Sequence, residues 1–250
     1  MLQKCFIPAV KRAVNITFSV MTPAVPAYSA AQVRAAEAPL LAAGVPLMAR
    51  ASAVLADVVA DALGGTPSPR ILVLAGPGDN GGDALYAAAA LADRAEVDVL
   101  TVSERFHAEG LAAATAAGAR RVGLREAVAT GYDLLLDGIL GIGTSADPAL
   151  RGLARTAVEE LLPAVRGGRT RVVAVDLPSG LHPDSGAADE AVLPAWVTVT
   201  FGAVKTGLVT GRGPELAGEV VLVRIGIDEE LSGVVPAGSA VVSRILTPEG

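Results

Sequence analysis

Apolar residues change their spacing several times along the chain, and each change marks an element. From Ser29 to about Gly64 the spacing is helical. Ser29 is a good N-cap ahead of Ala-Ala-Gln-Val-Arg-Ala-Ala-Glu, Gly44 and Pro46 break the run, and a second helix resumes near Leu47 and ends around Gly64-Gly65. Arg70–Ala75 is a continuous apolar run between Pro69 and Gly76, as expected of a strand covered on both faces. A Gly-rich turn follows, then an Ala-rich helix from about Asp83 to Asp93. The alternation continues through strand-like Val97–Val102, helical Ala108–Ala117, strand-like Tyr132–Leu136, helical Gly152–Leu162 and strand-like Arg171–Val175. Trp196–Thr200 and Glu219–Val223 read as later strands. Strands alternating with helices predict an α/β fold with a mostly parallel sheet, helices on both faces and right-handed crossovers. Ligands in such sheets bind at the carboxyl ends of strands. The loops after Ala75, Leu136 and Val175 are therefore where chemistry is expected.

Both ends of the chain break this pattern. In residues 1–27, Lys4, Lys11 and Arg12 alternate with apolar residues without a clear small-residue cleavage site. The segment reads as an uncertain extension, either a targeting peptide or residues ahead of a start at Met21, and the second is preferred. Residues 231–250 are rich in Gly, Pro and Ser and read as a flexible tail or linker. The domain proper is then 28–230.

Composition narrows the class. Hydrophobic residues are 52% and aromatics only 3%, so the core is built from Ala, Val and Leu. No uninterrupted apolar run reaches the roughly 20 residues a bilayer span needs, so no membrane partner is expected. A formal charge of −6 excludes a basic nucleic-acid footprint, but not a dinucleotide held by backbone amides. Cys5 is the one cysteine, so an internal disulfide is impossible and a cytoplasmic location is expected.

The first loop, Gly76-Pro77-Gly78-Asp79-Asn80-Gly81-Gly82-Asp83, satisfies G-x-G-x-x-G between a strand and a helix. Glycines there let the backbone approach a phosphate at the helix N-terminus. A tight connection without a ligand would show the same glycines. Asp79, Asn80 and Asp83, however, are awkward around a phosphate and suit a hard cation or sugar hydroxyls. The second loop, Asp137-Gly138-Ile139-Leu140-Gly141-Ile142-Gly143-Thr144-Ser145, puts an acid at a strand end, followed by three glycines. Asp137 is either a cleft carboxylate or a turn acid. In the third loop, Val175-Asp176-Leu177-Pro178-Ser179-Gly180, Asp176 is either an Asx-turn acid or a second cleft carboxylate. If these strands are neighbours, Asn80, Asp137 and Ser179 offer oxygens to one cation, and Asp176 remains for proton transfer. A fourth segment, Thr198–Leu208, carries Lys205 soon after a strand, at the surface or in the cleft.

Together these segments resemble the NAD(P)H-hydrate epimerase family, the YjeF N-terminal domain. The matching pieces are Ala75–Asp83, Asp137–Gly143 followed by Arg151-Gly152, Val175–Gly180 and Thr198–Leu208, with Gly44-Val45-Pro46-Leu47-Met48 similar to the family's N-terminal region. The resemblance implies a Rossmann-like three-layer α/β/α sandwich, a homodimer and one K+ per subunit. It implies hydrated NADH or NADPH as substrate, interconverted between R and S forms. The functional partner it implies is an ADP- or ATP-dependent NAD(P)H-hydrate dehydratase. The family's cation ligands fall on Asn80, Asp137 and Ser179. Its substrate contacts fall on Asp79, Asn80, Gly81, Gly82 and Asp83, on Gly141, Ile142, Gly143, Thr144, Ser145, Ala146 and Asp147, and on Asp176. Asp176 is the expected acid/base and Lys205 its candidate helper. The chain departs from the family's Asn-Asn-Gly-Gly-Asp-Gly at Asp79 and Ala84, which either weakens substrate binding or strengthens the cation site.

Three other readings compete. A nicotinamide-dependent oxidoreductase explains the glycines, with Glu104 on a ribose, but not the recurring strand-end acids; His107 and His182 read as loop or surface residues. A non-catalytic binding module of the same fold would not need Asn80, Asp83, Asp137, Asp176 and Ser179 together. An epimerase half of a bifunctional enzyme would carry its dehydratase domain elsewhere, since 250 residues hold no second nucleotide-binding pattern.

Overall fold

The computed structural model describes residues 24–143 and 147–248. Among them the chain runs β1 (Ala24–Tyr28), α1 (Ala30–Ala42), α2 (Leu47–Leu63), β2 (Arg70–Ala75), α3 (Asp79–Leu91), β3 (Glu96–Thr101), α4 (Ala108–Ala117), β4 (Arg120–Arg121), α5 (Leu124–Ala129) and β5 (Leu134–Gly138). It continues through α6 (Gly152–Arg166), β6 (Arg171–Val175), β7 (Val197–Phe201), β8 (Val204–Lys205), a 3-10 turn (Thr206–Leu208), α7 (Gly213–Leu216), β9 (Glu219–Val223), β10 (Gly238–Val241) and β11 (Arg244–Leu246).

Eight strands among the described residues form one parallel sheet in the order β4-β3-β2-β5-β6-β7-β9-β11. Side-chain alternation sends the strands' residues into helical layers on both faces. Ile71, Val73 and Ala75 pack on one face with α2 and α3, while Leu72 and Leu74 pack on the other with α5 and α6. Both sets are fully buried, so the strand needs no polar face. The result is the expected Rossmann-like sandwich. The chain steps outward from β2 to β3 and β4, then returns to place β5 on β2's other side. The β2–β5 boundary is therefore the switch point, where a crevice opens at the carboxyl ends. Among the described residues no single helix is long and apolar enough to cross a membrane.

Several boundaries differ from the sequence reading. The helix after the Gly-rich turn starts at Asp79, not Asp83. Gly81 and Gly82 look like loop formers, but they let the first turn of α3 lie directly on the backbone of Gly76 and on Met48. A Cβ at Gly81 would collide with the Gly76 carbonyl. The segment from Leu231, expected to be a loose tail, contributes β10 and β11. β10 pairs antiparallel with β1, and β11 extends the main sheet beside β9. β1 in turn lies in what was read as the uncertain extension, and it pairs in parallel with β8. These three strands make a small second sheet, β10-β1-β8. The start at Met21 and the targeting-peptide alternative fall outside the described residues.

Ser29 caps α1 as expected. Its Oγ accepts from the Gln32 amide at 3.2 Å, and its own amide donates to Gln32 Oε1 at 2.9 Å, a reciprocal capping box.

Candidate active site

Three loops from adjacent strands are tied together at the switch point. The Asn80 amide Nδ2 donates to the Leu140 carbonyl at 3.0 Å and to the Val175 carbonyl at 2.5 Å, bridging the loops after β5 and β6. Ser179 Oγ accepts from the Leu140 amide at 2.9 Å and donates to the Leu140 carbonyl at 3.3 Å. Asp137 accepts from the Ser179 amide at 2.9 Å and from the Ile139 amide at 3.4 Å. Asn80, Asp137 and Ser179 thus meet around Leu140. Gly76 and Gly141 keep these loops in contact: a Cβ at the first would strike the Ile139 carbonyl, and one at the second would strike Asn80 Oδ1.

Asp137 is wholly buried, with no cationic side chain bonded to it among the described residues. Burial raises its pKa, and the hydrogen bonds from Ser179 and Ile139 oppose that rise. Among the described residues, no three His, Cys, Asp or Glu side chains gather into a metal cluster. A cation here would draw on carboxylate, amide and hydroxyl oxygens, the donor set of a hard ion.

Beside this knot lies a cavity of about 360 Å³. Its polar lining is Glu37, Asp79, Asn80, Asp83, Asp176 and Lys205; Met48, Ile142, Phe201 and Ile225 contribute apolar walls. A larger cavity, about 550 Å³, opens at the amino ends of β2, β5 and β6 near Arg70, Asp133 and Thr170. None of the expected site residues lines it, and it lies at the end of the sheet away from the switch point.

Asp176 follows β6 with φ +67°, a left-handed conformation that is rare outside glycine and favours Asp and Asn among the others. Its Oδ1 accepts from Thr200 Oγ1 at 3.2 Å, from the Phe201 amide at 3.3 Å and from Lys205 Nζ. Among the described residues Oδ2 accepts no hydrogen bond. Lys205 is 1% exposed, and its Nζ also donates to the Phe201 carbonyl at 2.8 Å and to Thr200 Oγ1 at 3.3 Å. Lys205 is therefore a cleft residue, and its ammonium has three acceptors. β8 holds it there through pairing of Lys205 with Tyr28 of β1.

Asp83 faces the same cavity from α3. It is 7% exposed, and its Oδ1 is buried with no hydrogen-bond partner. Burial first, then the charges of Asp176, Asp79 and Glu37, push its carboxyl well above the usual range, while Lys205 opposes them. Glu37 is half-buried. Burial raises its carboxyl and Lys205 opposes this, with Asp176 and Asp79 adding to the rise.

Of the other expected residues, Gly81 and Gly82 lie buried in the first turn of α3. Gly141 and Gly143 belong to the loop after β5, which Arg34 holds by donating to the Ile142 carbonyl at 2.5 Å. Asp147 does not line the cavity; it is exposed and binds the Ala149 amide and the Arg151 guanidinium. Thr144, Ser145 and Ala146 lie outside the described residues. His107 caps α4 through the Gly110 amide, and His182 accepts from the Asp184 and Ser185 amides, so both have structural roles. Glu37 was missed by the sequence reading. Its signal was position: Val33, Ala36 and Leu40 mark the inner stripe of α1, and Glu37 sits on it.

A profile of the family described as "YjeF-related protein N-terminus" matches residues 44–207. The chain is 58% identical to the NAD(P)H-hydrate epimerase of Microbacterium testaceum over 88% of its own length and 86% of that protein. It is 51% identical to the NAD(P)H-hydrate epimerase of Clavibacter michiganensis over 84% of its length and 93% of that protein. It is also 42% identical to the bifunctional NAD(P)H-hydrate repair enzyme Nnr of Mycobacterium tuberculosis, matching 80% of this chain but 41% of that one. Among solved structures, the yeast protein YNL200c superposes with a TM-score of 0.67 at 20% identity, over 86% of this chain and 96% of that one, which is a likeness of fold.

Proposed function

The chain belongs to the family of YjeF-related protein N-termini, and from that membership we propose that it is an NAD(P)H-hydrate epimerase, an isomerase that interconverts the R and S forms of hydrated NADH or NADPH. The carrying observation is 58% identity to an epimerase along 88% of the chain. A Rossmann-like sheet alone is shared by many oxidoreductases and says little about chemistry. The polar cavity argues against a non-catalytic module, because a buried ion pair beside an unpaired buried carboxyl is costly unless used. The likeness to one part of a bifunctional repair enzyme supports an ADP- or ATP-dependent dehydratase as the functional partner. The single cysteine suits a cytoplasmic setting.

The hydrated carbon carries its hydroxyl next to the ring nitrogen and is a hemiaminal. The nitrogen lone pair expels the hydroxyl once that oxygen is protonated, and the planar iminium accepts water on either face. Asp176 supplies acid/base catalysis through Oδ2, the oxygen that Lys205, Thr200 and Phe201 leave unbonded. Lys205 compensates the charge of Asp176 and positions it; with three acceptors, its ammonium is a holder rather than a proton donor. Ile142, Phe201 and Ile225 wall the ring from water.

Asn80, Asp137 and Ser179 fit a potassium ion, since the buried Asp137 carboxylate has no other counter-charge. Such an ion would compensate the buried Asp137 charge and hold together the loops after β5 and β6. Potassium is therefore expected to raise the melting temperature where sodium does not. Ligand linkage at about a hundredfold over Kd gives roughly 2.7 kcal/mol, or about 5–10 °C for a chain of this size. Asp137→Asn should remove the response, and a wild-type melting curve indifferent to potassium rejects the site.

The epimerase reading is tested by letting an S-specific dehydratase consume its isomer from mixed R- and S-NADHX until it stalls, then adding this protein and following NADH absorbance. Rapid clearance of the remaining R form supports the reading. A rate no faster than the spontaneous one rejects it.

A further inference from the structure

Resting on the epimerase reading, we propose that Asp83 is the second catalytic residue, a neutral carboxylic acid that protonates the departing hydroxyl while Asp176 receives the proton of the incoming water. The two carboxyls line one cavity but are partnered in opposite ways. Asp176 has a lysine, a hydroxyl and an amide on one oxygen. Asp83 is 7% exposed, has no bonded cation, and buries Oδ1 without a donor. An ionised carboxylate in that position carries the full cost of desolvation, whereas the protonated form is neutral and holds a proton to donate.

Neighbouring acids favour the neutral form from three elements. Glu37 approaches from α1, Asp79 from the start of α3, and Asp176 from the loop after β6. Lys205 opposes them but is already paired with Asp176, and α2 contributes apolar Met48 and Ala51. Arg34 acts on Glu37, and His107 is committed to the cap of α4. Burial and the neighbouring acids thus hold the Asp83 carboxyl well above its ordinary value. Two carboxyls partnered in opposite ways at one site are what a dehydration followed by hydration requires.

In the forward step the Asp83 O–H proton passes to the hydroxyl oxygen. The C–O bond breaks and water leaves, while the ring-nitrogen lone pair forms the C=N bond. Water then adds to the other face. The C–O bond re-forms, the π pair returns to nitrogen, and the extra proton of the added water passes to Asp176. One proton has moved from Asp83 to Asp176 and returns through solvent; the reverse epimerisation exchanges the roles.

The test compares wild type with Asp83→Asn, a close isostere, in the dehydratase-coupled assay over neutral and alkaline pH. Melting curves and carboxyl infrared spectra of the free proteins are recorded alongside. Asp83→Asn is expected to melt no lower than wild type, to keep KM near wild type and to lose about 10²–10⁴-fold in kcat. The alkaline fall in wild-type kcat/KM should be absent from the variant. Wild type should show a protonated-carboxyl band at neutral pH that the variant lacks. Because the folded carboxyl binds its proton more tightly than the unfolded one, wild-type stability should also decline as pH rises between those two values, and the variant should not share the decline. A raised KM with unchanged kcat and an intact alkaline limb would overturn the proposal, as would the absence of the carboxyl band. A wild type that does not accelerate epimerisation at all would reject the functional reading itself; failure confined to the Asp83 proposal leaves the wild type active.

Discussion

Replacing Lys205 with methionine is expected to lower stability by about 3–5 kcal/mol, the usual cost of stranding one member of a buried ion pair. For a chain of this length that corresponds to a melting temperature roughly 6–20 °C lower. The loss comes from what remains rather than from what is removed. Asp176 is 4% exposed, and without Lys205 its Oδ1 keeps only a hydroxyl and an amide as partners. Methionine fills the space of the aliphatic stem, so packing changes little. The double variant Lys205→Met/Asp176→Asn should regain part of the stability while remaining inactive, because the stranded charge is gone. A single variant melting within about 2 °C of wild type would mean that the pair is solvated and the cavity wetter than described.

Asp176→Asn is expected to reduce kcat by about 10²–10⁴-fold, the range for losing a positioned acid or base. The backbone should tolerate it, because Asn is among the few residues that accept φ +67°. Its amide oxygen can still accept from Lys205, but the buried ammonium loses its counter-charge, so a stability cost comparable to that of Lys205→Met is expected. The double variant separates roles: it should regain stability relative to either single variant while remaining inactive, because the stranded charge is gone and the acid/base is still missing. Turnover of Asp176→Asn within threefold of wild type would transfer the acid/base role elsewhere in the cavity.

Elements with an uninterrupted apolar signal were legible in the sequence. Ala108–Ala117, Arg171–Val175 and Glu219–Val223 have the expected bounds, because each is bracketed by turn or loop residues; the two strands also bury most of their side chains. The strand-end acids were legible for the same reason, since a fully apolar strand ending in Asp leaves that Asp at the crevice. What was hidden depends on partners far along the chain. β10 is Gly-Ser-Ala-Val, which has no apolar period; it is a strand because β1, more than two hundred residues earlier, offers it an edge. The first turn of α3 has the local signal of a loop, because two glycines favour a turn, while contact with Gly76 decides otherwise. Glu37 was hidden because a glutamate among alanines on a helix reads as a solvent residue unless the cavity is known. Sequence alone places Lys205 equally at the surface or in the cleft, because it does not report the carboxylate that burial places against the lysine.

The small sheet has a consequence for the order in which the enzyme is made. Lys205 is placed by β8, β8 by β1, and the free side of β1 by β10, so the first strand described is completed by one more than two hundred residues later. A ribosome that has released the whole Rossmann-like sheet as far as β9 has still not supplied the strand that closes this one. Closure over such a span is entropically slow compared with the local helix–strand pairs. The nascent chain therefore carries all its site loops while the sheet behind the lysine is still open on one side, and the ion pair is locked in only once β10 has emerged.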